Sequence, residues 1–282
     1  MLTSILYNDE IAPTYYRMGL SWNTPLPVQP GQFIMLRVSE GIDPFLCRPF
    51  GIYRLLRGEE GGGEALGFEI LYKVVGKGTL IMSRLKRGER VDLFGPLGRG
   101  FPALTGGQKL LMIAGGVGIV PFYMVAEALL ASGGEGKLLF GGRCADDLPG
   151  LADLKELGLD MAVATDDGTA GVKGVVTALM EGEVLDDTTI YACGPKGMLK
   201  EVARIAAELE VPCFVSLDRR MACGMGACLG CAVKVGGKER TQVAGGDRVV
   251  ENEEIRTTPS PYRMVCKDGP VFDARELDWE VL

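Results

Sequence analysis

The chain has 282 residues and not one histidine. That absence removes Ser-His-Asp nucleophile chemistry, H-E-x-x-H zinc sites and Rieske-type ligation. Basic runs are absent too. Thirty Lys and Arg stand against 37 Asp and Glu, a net charge of −7, with no Arg–aromatic interleaving. No nucleic-acid partner is therefore expected. The opening MLTSILYNDE lacks the basic start and apolar run of a secretory leader. Leu110–Ala126 is uncharged, but Gly115, Gly116, Gly118 and Pro121 break it. It reads as a buried strand, a tight turn and a helix start rather than a membrane span. The expectation is a cytoplasmic protein with no membrane partner.

What is present is enough apolar residue (47 %) for two or three domains with cores of their own. Eight cysteines in a chain this long are too sparse for a disulfide scaffold. Three of them, Cys223, Cys228 and Cys231, fall in DRRMACGMGACLGC (Asp218–Cys231) with the spacing C-x4-C-x2-C, and Cys266 follows after 34 residues. Gly224, Gly226 and Ala227 let the backbone wrap closely around an inorganic core. The spacing is that of the plant-type [2Fe–2S] run with a distant fourth ligand. A zinc site or disulfides remain the alternatives, although zinc modules usually pair two C-x2-C knuckles.

Ahead of the cysteines the chain divides at a change of pattern. Residues 1–102 carry short apolar runs (Tyr15–Trp22, Gln32–Val38, Phe50–Leu56, Leu66–Val75 and Arg90–Phe94) between Gly and Pro turns, including Gly58 and Gly61–Gly63. They predict an antiparallel β-barrel or sandwich, with one short helix over Thr79–Leu85. Within it, Arg48-Pro49-Phe50-Gly51 offers a guanidinium fork to a diphosphate or is an ordinary surface arginine. The run Tyr72–Thr79 turns through glycines into a helix start, which suits a phosphate or is a plain turn.

Residues 103–217 alternate strand and helix patterns, predicting a doubly wound α/β domain. Strands are expected at Lys109–Ala114, Lys137–Phe140, Met161–Ala164, Thr189–Ala192 and Val211–Leu217. Helices are expected through Ala131 and over Leu148–Leu157, Val172–Glu181 and Lys196–Glu210. Ligands in such sheets bind at the carboxyl ends of the strands. The turn Gly115-Gly116-Val117-Gly118 with Pro121, the Thr165-Asp166-Asp167-Gly168 segment and Cys193-Gly194-Pro195 all fall there. The glycine turn is not G-x-G-x-x-G, and a ligand-free tight turn remains its alternative. Residues 218–282 form a small third unit with too little apolar sequence for much core.

Hydride chemistry at a nicotinamide and one-electron chemistry at a [2Fe–2S] cluster need an intermediary that does both, and a flavin does. With RPFG, Y-x-x-x-G-x-G-T, GGVGIVP, CGP and the terminal cysteines in place, the chain resembles ferredoxin reductase-type flavoproteins. RMACGMGACLGC with VCKDGPVF resembles, more narrowly, the electron-transfer subunits of bacterial dihydroorotate dehydrogenase type B (the PyrK family). The resemblance covers nearly the whole chain.

It implies an FAD-binding β-barrel, an NAD-binding α/β domain and a C-terminal [2Fe–2S] domain. It implies FAD contacts at Arg48, Pro49, Phe50 and Gly51, at Leu71, Tyr72 and Lys73, and at Gly78 and Thr79. It implies nucleotide contacts at Gly115, Gly116, Gly118, Pro121, Cys193, Gly194 and Pro195, with Asp166 a candidate for a ribose. Cys223, Cys228, Cys231 and Cys266 match the cluster ligands. The implied function passes electrons from an FMN-containing dihydroorotate dehydrogenase catalytic subunit through [2Fe–2S] and FAD to NAD⁺, in a hetero-oligomer (a heterotetramer) of pyrimidine biosynthesis.

Two departures stand out. Gly51 occupies a position where the family usually has Ser or Thr, and the Cys231–Cys266 gap is long, with an excursion expected around Gly236–Pro259. The rival readings are an FAD/[2Fe–2S] subunit of a ferredoxin–NADP reductase or sulfide dehydrogenase complex and, from another class, a zinc-stabilised binding module. Arg143 could meet a 2′-phosphate, whereas Asp146 and Asp147 oppose one, so NAD is expected.

Overall fold

The computed structural model describes residues 1–22, 27–39, 41–57, 65–183, 186–236, 247–251, 254–258 and 260–282. The glycines at 58 and 61–63 lie outside them. Seven strands build the first unit: β1 (Leu2–Ala12), β2 (Tyr15–Ser21), β3 (Phe33–Arg37), β4 (Arg48–Gly51), β5 (Arg54–Arg57), β6 (Ala65–Lys73) and β7 (Arg90–Leu97). They pair antiparallel in the order β4-β3-β7-β1-β2-β6-β5. The two ends of that order are consecutive in the chain, joined by Ile52 and Tyr53. Their N–H groups donate to Gln32 O (3.1 Å) and Glu69 O (2.8 Å), so the sheet closes into a barrel. The single strand expected over Phe50–Leu56 is thus two strands with a crossing between them. The strand β1 carries little periodicity, with only Thr3 and Ile5 buried among its first six residues. Pairing with β2 and β7 makes it a strand, which the local pattern does not reveal.

Phe33 to Leu36 in β3 are buried without a break, although successive side chains point to opposite faces. Ile34 and Leu36 enter the barrel core with Ile5, Leu20 and Phe68. Phe33 and Met35 point outward into a second core, shared with the α/β sheet and the cysteine segment. A six-residue helix, α1 (Lys77–Met82), follows the barrel strand β6.

The second sheet contains β8 (Lys109–Gly115), β9 (Glu135–Gly142), β10 (Asp160–Thr165), β11 (Val172–Lys173), β12 (Thr188–Cys193) and β13 (Cys213–Ser216), with α2 (Phe122–Ala131), α3 (Leu151–Glu156) and α4 (Lys196–Glu208) between them. The strands run parallel in the order β11-β10-β9-β8-β12-β13. Both faces are covered, as a parallel sheet requires. From β8, Leu110, Met112 and Ala114 join one core and Leu111 and Ile113 the other. In α4 the buried Leu199, Val202, Ala203 and Ala206 recur at helical spacing and seat the helix on the sheet.

Two helices differ from expectation. Val172–Glu181 is a two-residue strand and a 3-10 turn (Val176–Met180), because Gly174 at φ 144° breaks a helix between β-branched valines. Leu148–Leu157 shortens to α3, since Pro149 and Gly150 turn the chain first.

The remaining elements are β14 (Ala232–Lys234), β15 (Asp247–Glu251), β16 (Glu254–Thr258), β17 (Tyr262–Met264), α5 (Val265–Asp268) and β18 (Val271–Asp273). The last strand, β18, adds antiparallel to β13 at the edge of the parallel sheet. Val233, Val265, Phe272, Leu277 and Leu282 join the core that β3 and the sheet share. The cysteine segment therefore continues a neighbouring core instead of having its own. β15 and β16 pair with each other within the long excursion, whose residues 237–246, 252–253 and 259 lie outside the described residues.

Candidate functional site: a cleft that ends at a cysteine cluster

The strand order reverses between β8 and β12, and a crevice opens there at the carboxyl ends of the strands. Gly118 shows how tightly that point is made. A Cβ on it would stand 2.1 Å from Cys193 O, so only glycine lets the turn after β8 lie against the segment after β12. The crevice extends onto the barrel wall as one cleft of about 1220 Å³. Arg48, Pro49, Phe50, Gly51, Leu71, Tyr72, Lys73 and Thr79 line its barrel side. Gly115, Gly116, Gly118, Pro121, Asp166, Cys193, Gly194 and Pro195 line the nucleotide side. Of the residues expected to bind a cofactor, Gly78 alone is not in the lining. It sits behind Arg48, and a Cβ there would come within 2.6 Å of the guanidinium Nε.

Side chains in the cleft are already committed to partners. The Thr79 hydroxyl accepts from the N–H groups of Val75 (2.9 Å) and Gly76 (3.2 Å), fixing the turn into α1. Tyr72 is 2 % exposed, stacks on Tyr16 at 5.4 Å and donates its hydroxyl to Asn8 Oδ1 at 2.9 Å. It backs the wall. Cys193 is half-buried, and burial pushes its thiol up to about 12, so it is protonated at neutral pH.

Lys73 departs most from a simple phosphate-contact role. Its ammonium crosses to the nucleotide domain, donating to Asp147 Oδ1 (2.7 Å) and Tyr15 Oη (2.9 Å). Tyr15 in turn donates to Asp147 at 2.7 Å, and Arg143 pairs with the same carboxylate. Burial works against the Lys73 charge, but the bonds to Asp147 and Tyr15 outweigh it and raise its pKa. Hydrogen bonds from Arg143, then from Lys73 and Tyr15, hold the buried Asp147 carboxyl well below the usual carboxylate range. A second crossing lies nearby, where Tyr53 donates to Asp153 (2.7 Å) and Arg17 pairs with it. Sequence reasoning missed this seam. Asp147 carries no motif, and only tertiary packing brings residues 15, 73 and 147 together.

At its far end the cleft is lined by Arg219 and Met221, the latter two residues before Cys223. The cysteines lie in two pairs. The Cys223 sulfur accepts from the N–H groups of Met225 (3.5 Å) and Cys228 (3.4 Å), which lower its pKa to about 6. Cys231 and Cys266 are each 2 % exposed, and the Cys266 N–H donates to Cys231 Sγ at 3.4 Å. The 34-residue gap is spanned by β14 pairing with β17, which sets Ala232 opposite Met264. Gly226, at φ 85°, donates its N–H to Cys266 Sγ at 3.1 Å. This knits the loop to the distant cysteine. Burial, then the neighbouring Cys231, pushes Cys266 up to about 12.

All eight cysteines are free, and among the described residues no three or more Cys, Asp or Glu side chains are arranged to hold one metal ion. The paired arrangement fits a two-metal cluster better than a single zinc. Backbone N–H groups directed at thiol sulfurs are the environment a thiolate-bound iron–sulfur cluster uses. A bound cation would supply the charge that the buried thiols need to ionise.

The oxidoreductase NAD-binding domain family matches residues 112–204. The iron-sulfur cluster binding domain of dihydroorotate dehydrogenase B matches residues 218–244, a span holding Cys223, Cys228 and Cys231. A solved structure of an NADH-dependent reduced ferredoxin-NADP oxidoreductase, described for flavin-based electron bifurcation, superposes with a TM-score of 0.78 at 29 % identity. That match covers 99 % of this chain and 91 % of the other. Phthalate dioxygenase reductase shares the fold at TM-score 0.63 and 18 % identity, covering 94 % of each chain.

The dihydroorotate dehydrogenase B (NAD(+)) electron transfer subunit of Bacillus mycoides is 34 % identical over 97 % of this chain and 96 % of its own length. That of Desulforamulus reducens is 36 % identical over 96 % of this chain and 95 % of its own. This chain belongs to the family of dihydroorotate dehydrogenase B electron transfer subunits.

Proposed function

We propose that the chain carries electrons from dihydroorotate, oxidised on an FMN-containing partner subunit, to NAD⁺ in pyrimidine biosynthesis. One observation supports this above the others: the cleft and the cysteine cluster are continuous. Phe33 lines the cleft, and Met35, two residues on, touches the cysteine loop; a Cβ on Gly224 would stand 2.6 Å from Met35 Cγ. Two strand residues span about 7 Å. FAD exchanges two electrons with a nicotinamide and single electrons with a [2Fe–2S] cluster.

The residues divide the work by position. Arg48–Gly51, Leu71–Lys73 and Gly78–Thr79 hold FAD along the barrel wall. Gly115, Gly116, Gly118 and Pro121 present backbone and the start of α2 to the nucleotide diphosphate. Cys193, Gly194 and Pro195 form the wall for the nicotinamide, where the protonated Cys193 thiol adds no charge. Asp166 accepts from ribose hydroxyls and repels a 2′-phosphate, and Asp147 occupies Arg143, so NAD is taken over NADP. Cys223 with Cys228 and Cys231 with Cys266 hold the cluster.

Residues 1–102, 103–217 and 218–282 are the FAD, NAD and cluster units, with β18 returning to the second unit's sheet. No described helix is long and apolar enough to cross a membrane. The free cysteines suit the reducing cytoplasm. The chain carries no dihydroorotate site of its own in this reading and works in a hetero-oligomer, a heterotetramer.

The test is co-purification with the catalytic subunit, followed by orotate-dependent NADH oxidation. Formation of dihydroorotate supports the reading, and NADH oxidation indifferent to orotate sinks it. A second reading, a ferredoxin–NADP reductase subunit, draws on the 0.78 superposition. Ferredoxin reduction in place of orotate reduction in the same assay would select it.

A further inference from the structure

Gly51 ends β4 on the barrel side of the cleft, opposite Val120 of the nucleotide turn, and both line the cleft. A Cβ built on Gly51 would stand 2.8 Å from Val120 Cγ1. Both sides are held in place. Gly51 is held in register opposite Phe33. The Val120 N–H donates to Val117 O at 3.1 Å, in a turn already pressed against Cys193 O at Gly118. Val120 is 6 % exposed with helical backbone angles (φ −49°, ψ −49°), where a valine strongly prefers one rotamer. Turning the methyl away therefore costs energy.

We propose that Gly51 and Val120 are a size-matched positioning pair: the valine fills the space where a side chain on β4 would stand and closes the seam between barrel and nucleotide domain with an apolar contact beside the flavin. This rests on the FAD reading of the Arg48–Gly51 segment. In this chain β4 offers the flavin no side-chain hydrogen bond at that position, and its neighbour across the seam supplies bulk instead.

The experiment uses the full chain with its partner subunit and compares the parent with Gly51→Ser, Val120→Ala, Gly51→Ser/Val120→Ala and Gly51→Ala/Val120→Ala. FAD affinity, melting temperature and flavin midpoint potential are measured. Overpacking makes Gly51→Ser bind FAD about tenfold more weakly, while cluster absorbance is unchanged. Adding Val120→Ala restores affinity to within about threefold of the parent, an energy difference under ~1 kcal/mol. Of the two double variants, only the serine one shifts the midpoint potential, because of the two it alone adds a hydroxyl; the alanine double variant keeps the parent's value. Gly51→Ser with parental FAD affinity, or no rescue by Val120→Ala, overturns the pair. A parental potential in the serine double variant overturns its role beside the flavin. A parent that binds no FAD defeats the FAD reading itself. The size match is then judged by melting temperature, which Gly51→Ser must lower and Val120→Ala must recover.

Discussion

The two pairs of cysteines occupy different worlds within one site. Cys228 is exposed and Cys223 half-buried, with backbone N–H groups lowering the Cys223 pKa; Cys231 and Cys266 are buried, and Cys266 is raised. The outer pair is written locally, in a loop of six residues. The inner pair depends on β14 meeting β17 across the long excursion and on a core shared with Phe33 and Met35. Three of the four cysteines thus belong to a sequence motif, while the meeting of Cys231 with Cys266 is a product of tertiary packing. The cleft shows the same split: its glycine turns are local, while the Lys73–Tyr15–Asp147 seam is assembled from distant parts of the chain.

The largest effect that breaks this comparison is expected at the inner pair. Cys266→Ser and Cys231→Ser abolish the visible absorbance of the reconstituted cluster, whereas Cys228→Ser, at the exposed rim, retains a more labile fraction of it. FAD binding survives in all three, because the cleft is built by other elements. Equal loss in the three variants would erase the distinction. Next is the seam. Asp147→Ala leaves the Lys73 ammonium without its carboxylate and destabilises the chain by about 3 kcal/mol in chemical denaturation. Once folded, the variant keeps its cluster spectrum.

The seam also carries a pH signature. The Asp147 pKa is depressed in the folded state, so its contribution is fully present above the unfolded value of about 3.9 and is lost as pH falls through the folded value. The stability gap between parent and Asp147→Asn therefore narrows as the pH drops below about 4, read from melting curves at a series of pH values. The smallest effect is at the ribose. Asp166→Ala weakens NADH binding about tenfold, the scale of one charged hydrogen bond, and narrows the preference over NADPH.

Much of this was legible in the residues. The C-x4-C-x2-C spacing, the strand-end turns and the barrel-then-α/β order all have local causes, and the cofactor-binding candidates apart from Gly78 meet in one cleft. What was not legible has a common physical origin. β1 has too little periodicity to announce itself and exists by pairing. Val172–Glu181 has helical-looking apolar spacing, but Gly174 breaks it. Asp147 looks like an ordinary acidic loop residue until Lys73 and Tyr15 arrive from the barrel. Gly51 looks like a missing hydroxyl until Val120 is seen filling its place.

Communication between nicotinamide and cluster through the cleft is what joins the two regions. Its most direct test is an anaerobic titration of the reconstituted, FAD-loaded chain with NADH, followed by optical absorbance and electron paramagnetic resonance. Flavin bleaching is expected together with the signal of a reduced [2Fe–2S] cluster, and loss of that signal alone in Cys266→Ser. Bleaching of the flavin while an intact cluster, whose midpoint potential lies above that of NADH, stays oxidised would contradict it.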